Sequence, residues 1–176
     1  MTRLSSLTMI IVSHFLDYVK DGIRYITGDD KVFCPDPDCG CFMKLHGRCR
    51  RYVRRPDGLR DALSLRVLYC PKCNQYHREL PDFVVPYKHL CADIIAAIYD
   101  ARDNYCVDDH TATCVYRWVK EFFKFGIATV RRLKLEQPTL MTNYDAFSTL
   151  DKLKYFVKAV VKMGEWQSTS SCILSG

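Results

Sequence analysis

The chain has 176 residues, of which 48% are hydrophobic, 12% aromatic and 26% charged. That composition excludes a disordered polymer and suits one compact domain or two small ones. No apolar run approaches the ~18 residues of a membrane span, and the best candidate, residues 7–12, is followed closely by Ser13, His14 and Asp17 with no small-residue cleavage site. The formal net charge is +6, and residues 42–60 alone carry as much, with Lys44, Arg48, Arg50, Arg51, Arg54, Arg55 and Arg60 set against Asp57.

In chain order, residues 5–26 place Ile11, Val12, Phe15, Leu16, Val19, Ile23 and Ile26 at spacings of three and four, which predicts an amphipathic N-terminal helix within residues 1–30, interrupted at Gly22. Residues 27–30 read as a loop. Residues 31–80 read as a zinc ribbon with strands at 42–46, 49–55, 63–69 and 75–79 and a turn at Pro56-Asp57-Gly58. Residues 81–86 read as a linker.

Ten cysteines are present, and their spacing is that of a metal site rather than a disulfide framework. Cys70-Pro-Lys-Cys73 is one knuckle, and Cys34-Pro-Asp-Pro-Asp-Cys39-Gly40 is a second with a longer interior. Two thiolates close in sequence can turn toward one ion, and a following glycine permits the tight turn. Two such pairs supply the four sulfurs that structural zinc prefers. The expected ligands of a single structural Zn2+ are therefore Cys34, Cys39, Cys70 and Cys73, with Cys41, His46, Cys49 and His77 able to compete for a place. Cys91, Cys106 and Cys114 read as core thiols, and Cys172 as a free thiol in a tail.

Beyond the ribbon, residues 87–167 read as a helical domain. Helices are expected over 87–101, 111–125, 129–135 and 148–163, with a short middle helix at 104–108 and Trp166 packing after Gly164. Residues 168–176 read as a tail. Thr113, Tyr116, Arg117 and Lys120 lie on the face of the 111–125 helix opposite its apolar stripe, as in the recognition helix of a helix-turn-helix. The fold class is α+β, a small zinc-ribbon β module followed by a mainly helical domain with a helix-turn-helix-like segment.

Several pieces combine into a resemblance: Cys34-Pro35 with Cys39-Gly40, Leu45-His46-Gly47, Arg50-Arg51-Tyr52, Leu68 to Cys73, His77, Leu80 to Phe83, Pro86-Tyr87, Arg117-Trp118 and residues 164–168. Over roughly residues 30–170 the chain resembles a bacterial family of unknown function associated with transposase-like sequences. The resemblance implies a zinc ribbon followed by a helix-turn-helix, DNA binding linked to mobile elements, and no known catalytic residues. The four residues between Cys34 and Cys39, and the acidic link before Thr111, depart from the family pattern.

The expected function is that of a non-catalytic, zinc-dependent, cytoplasmic DNA-binding protein associated with a mobile element or with transcriptional regulation. Lys44, Arg48, Arg50, Arg51, Arg54 and Arg55 would grip phosphates of double-stranded DNA, and Thr113, Tyr116, Arg117 and Lys120 would read bases. The alternatives are an RNA or single-strand-binding ribbon, with Tyr52, Tyr69 or Tyr76 stacking on bases, and an adaptor docking on a transposase or other protein. No membrane partner and no small-molecule substrate is expected. Acidic pairs at Asp29-Asp30, Asp36 with Asp38, and Asp108-Asp109 have simpler roles in a loop, a knuckle and a helix start, and no phosphate loop or hydrolase motif occurs.

Overall fold

The structure, a computed structural model, describes residues 8–101, 105–140 and 143–166. The chain is α+β and divides into two compact units. The first takes in the chain up to Val53 together with Asp61–Asp82, and the second takes in Arg54–Arg60 and the chain from Phe83 onward.

The first unit is built on a mixed six-stranded sheet: β1 (Thr8–Val12), β2 (Leu16–Lys20), β3 (Ile23–Thr27), β4 (Lys44–Arg54), β5 (Arg60–Cys70) and β6 (Gln75–Pro81). The order is β1-β6-β5-β3-β2, with β4 also pairing β5. β1 runs parallel to β6 and β3 parallel to β5, while β2/β3 and β5/β6 are antiparallel. Residues 8–27 therefore form three strands, not the expected helix. Asp21 and Gly22 explain the outcome. Both have positive φ, 52° and 72°, and Lys20 pairs with Ile23 across them. A two-residue turn with positive φ at both positions matches the right-handed twist of a hairpin, and aspartate and glycine are residues that tolerate it. The threes and fours in the apolar spacing were an accident of three short strands following one another closely.

In β5 the buried positions change phase, Leu63 and Leu65 being followed by Arg66, Leu68 and Cys70. Arg66 and Glu79 form a buried bidentate pair, with Nε donating to Oε2 at 2.6 Å and an Nη donating to Oε1 at 2.6 Å. The same guanidinium donates to the Asp29 carbonyl at 2.7 Å. Gly28 lets the loop pass close by, since a Cβ there would lie 3.0 Å from the Glu79 carboxylate. The two strands expected at 42–46 and 49–55 are one continuous eleven-residue strand, β4.

The second unit contains α1 (Ala92–Tyr99), α2 (Asp109–Glu136), a 3-10 turn at Tyr144–Ala146 and α3 (Thr149–Lys162). Tyr87 and Ala101, with φ of 58° and 53°, bracket α1 and keep it shorter than expected. Residues 105–108 are not helical, and residue 104 lies outside the described residues. The two units divide between Asp82 and Phe83, inside the segment 81–86 expected as a linker, although part of that segment is packed. Val84 and Val85 are fully buried, and Val84 bridges to Cys91. Asp108 caps α2 by accepting from the Thr111 amide at 2.9 Å, and this bond, with the Thr111 hydroxyl, holds its carboxyl below the usual range. Ser148 caps α3 in the same way, accepting from the Asp151 amide. Trp118, Phe122 and Trp166 meet in the helical core, with the Phe122 and Trp166 rings 5.4 Å apart, and Phe156 is buried against Phe123.

The helices expected at 111–125 and 129–135 are one 28-residue helix that runs straight through Gly126. Glycine is needed there because a Cβ would fall 2.5 Å from Phe156 Cγ and 2.7 Å from its Cβ. Gly126→Ala should therefore destabilise the second unit by about 1–3 kcal/mol through overpacking, although alanine gains about 1 kcal/mol in helix propensity. Thermal unfolding followed by tryptophan fluorescence checks this, and a raised midpoint would contradict it.

Candidate metal centre

The cysteines are delivered by two local structures within the first unit. Cys70 ends β5, and the turn into β6 carries Cys73, whose amide donates to Cys70 Sγ at 3.4 Å. The other pair lies on the segment before β4. There Phe33 and Phe42 bridge and stack, ring centroids 4.1 Å apart, while the Cys34 amide donates to the Cys41 carbonyl at 2.8 Å. The Cys39 amide turns back onto the Asp36 carbonyl at 3.0 Å, and Gly40 takes a positive φ of 57°. Lys72 ties the two knuckles, donating to the Cys39 carbonyl at 2.8 Å.

The structure brings the four expected cysteines together. The Sγ atoms of Cys34, Cys39, Cys70 and Cys73 all lie within 4.8 Å of one another. Cys39 and Cys70 are 3.5 Å apart, and Cys34 and Cys73 are 3.8 Å apart. A tetrahedral ion with sulfur at ~2.3 Å requires sulfurs about 3.8 Å apart, a spacing close to the two measured here, so the set could hold a metal ion. The cluster is walled by Cys41 and Met43. Among the competing ligands, Cys41 Sγ turns to the Phe42 carbonyl at 3.4 Å, and the His46 ring meets Tyr76 edge-on at 4.7 Å. His77 stands beside the cluster, its Nε2 3.9 Å from Cys34 Sγ and its Nδ1 against the Thr8 hydroxyl. That is the placing of an outer residue that steadies a thiolate. Thr8 had no signal in the sequence, because its strand joins the site across the sheet.

Burial raises the Cys34 thiol to about 11. At Cys70 burial also acts upward, but the Cys73 amide and the Cys39 thiol outweigh it and bring Cys70 to about 7. The neighbouring Cys39 thiol, followed by burial, pushes Cys73 well up. Loading a metal must therefore expel protons, and acidification opposes it.

The basic residues are placed as follows. On β4, Lys44, Arg48 and Arg50 are exposed on one face of the strand, while Arg51 points the other way and is half-buried. Arg48 is engaged, donating to the Ile26 and Ser64 carbonyls at 3.0 and 2.9 Å and lying 5.4 Å from the Tyr25 ring centroid. Arg55 pairs with Asp57 at 2.7 Å, and Arg54 donates to the Cys106 carbonyl at 3.2 Å within the second unit. On α2, Thr113, Tyr116, Arg117 and Lys120 are all exposed. Thr113 donates to the Asp109 carbonyl and Tyr116 stacks on Tyr99 at 5.3 Å. Cys91 is buried as expected, whereas Cys106 and Cys114 are exposed. Cys172 and the tail at 168–176 lie outside the described residues. No described helix is long and apolar enough to cross a membrane.

Residues 34–118 match a domain of unknown function, DUF6431. The matched segment opens on the first cysteine of the cluster and closes at Trp118 in α2, so it takes in all four sulfur positions. No curated protein and no solved structure matches the chain.

Proposed function

We propose that the protein is a non-catalytic, zinc-stapled nucleic-acid-binding protein. The observation that carries this reading is β4, which leaves the cysteine-held segment directly and bears Lys44, Arg48, Arg50, Arg51 and Arg54 with no acidic residue among them. Zinc is the metal best suited to four thiolates at tetrahedral spacing, and a closed four-sulfur shell offers no open position for a substrate. Its role is then structural. Reduced thiols waiting for a metal suit the cytoplasm.

A second reading, duplex DNA as the partner, is favoured by α2, where the exposed Arg117 and Lys120 lie one turn apart. The resemblance to transposase-associated proteins supports a role with mobile elements, in which a transposase is a further partner.

Fluorescence anisotropy with the metal-loaded chain and a labelled random duplex, across a salt series, tests the reading. Affinity should fall as salt rises, and Arg50→Ala should flatten the logarithmic slope by about 0.9, the share of one phosphate contact. Absence of binding to duplex and to single strands alike, at low salt and by folded, metal-loaded protein, would overturn it.

A further inference from the structure

The open face of the first unit's sheet carries a feature that the basic strand alone does not explain. Every second residue of β4 from Lys44 to Tyr52 shares one face, and that face reads Lys44, His46, Arg48, Arg50, Tyr52, three cations interspersed with two flat rings. Two ring groups join it. His46 meets Tyr76, which lies 5.1 Å from Tyr69, its cross-strand partner. Arg48 lies over Tyr25, and Tyr25 stacks on Tyr18 at 4.9 Å with the planes 2° from parallel. His46 and Arg48 are next neighbours on their face, about 6.8 Å apart along the strand, so the two groups adjoin.

These rings are not core. The sheet's buried side holds Ile26, Leu63, Leu65 and Leu68, while Tyr18 is 57% and Tyr52 50% exposed. Asp17, the acidic residue on β2, is already neutralised by Arg24 at 2.6 Å. We infer that this face is a stacking platform for single-stranded nucleic acid, with Tyr18 and His46 as base platforms and Lys44 and Arg50 holding the phosphates. The inference rests on the nucleic-acid reading above and specifies its substrate. In a duplex the base faces are covered by one another, so exposed rings gain nothing from them. An unpaired strand offers free base faces at the same spacing as its charges.

The experiment compares labelled oligo-dT and oligo-U of about 15 nucleotides with a duplex of equal length, all binding the metal-loaded full chain. At least one single strand should bind about tenfold or more tighter than the duplex. A preference between oligo-dT and oligo-U names DNA or RNA as the source, and either supports the platform. Tyr18→Ala and His46→Ala, both at exposed positions, should each weaken single-strand binding about fivefold or more, whereas Tyr18→Phe should bind as the parent does. Metal content and circular dichroism establish that each variant is folded. If the ring variants bind like the parent while Arg50→Ala weakens binding, or if the duplex is preferred, the platform is refuted and the nucleic-acid reading stands. If no probe binds at low salt, both fail.

Discussion

Chelating the metal should release residues 32–43 and lower the stability of the sheet unit by about 4 kcal/mol, taking free metal at 1,000 times its dissociation constant as the reference. That segment contains no strand. It is held by the Phe33–Phe42 bridge, a few backbone hydrogen bonds and two of the four sulfurs. Its satellite core consists of Cys34, Cys39 and Cys70 with Cys41, Met43 and Cys73 around them, which is little apolar surface without an ion to draw it together. Structural zinc in small modules supplies about 10–16 kcal/mol of binding free energy, most of it expressed as folding. Trypsin should cut after Lys31 or Lys44 far faster once a chelator is added, and Cys39→Ser should reproduce the effect with metal present. Both tryptophans, Trp118 and Trp166, lie in the other unit. Their fluorescence should hardly change while the sheet's urea midpoint, read by circular dichroism, falls. Equal cleavage rates and equal urea midpoints with and without chelator would remove the metal from the account.

Glu79→Ala should be nearly as damaging, at about 3–5 kcal/mol, because it leaves the Arg66 guanidinium buried without its carboxylate. The pair is 9% and 1% exposed, and its two 2.6 Å bonds span adjacent strands of the sheet. Domain stabilities are only about 5–15 kcal/mol, so the loss could unfold the unit at room temperature. The double replacement Arg66→Met with Glu79→Leu should recover most of it, since an apolar pair of similar volume is often neutral or better. Asp57→Ala is the control: its pair with Arg55 is 42% and 52% exposed, and removing it should change stability by less than about 1 kcal/mol. Urea denaturation followed by circular dichroism reads all three. A Glu79→Ala midpoint equal to that of Asp57→Ala would show that the buried pair contributes nothing special.

The four-cysteine cluster was legible because its information is local. Each knuckle is two cysteines a few residues apart, and only the meeting of the two knuckles is long-range. The last helix was legible for the same reason, with Ser148 as its cap and Leu153, Phe156, Val157 and Val160 as its buried stripe. The N-terminal strands were not, because strand pairing partners lie far away in sequence. Tyr25 sits beside Ser64, and Thr8 beside His77, and nothing in residues 8–27 names those partners. The one local clue was Asp21-Gly22, a hairpin signature read as a helix interruption. Misreading it hid Tyr18 and Tyr25, and with them half of the aromatic face. Separate helices were expected to either side of residues 126–128, yet the constraint at Gly126 is set by Phe156, thirty positions on, and the helix continues.

The pairing of β1 with β6 also sets a timetable. Thr8 meets His77 across 69 positions. Closing so long a loop is entropically unfavourable before any contact rewards it. At roughly 5–20 residues per second, a ribosome needs about 3–14 s between making the two strands. During that interval the run Thr-Met-Ile-Ile-Val of β1 has no partner and every reason to find a wrong one. The nascent chain is thus exposed to aggregation at β1 until β6 has been made, and a chaperone that holds that strand would guard it until the sheet can close.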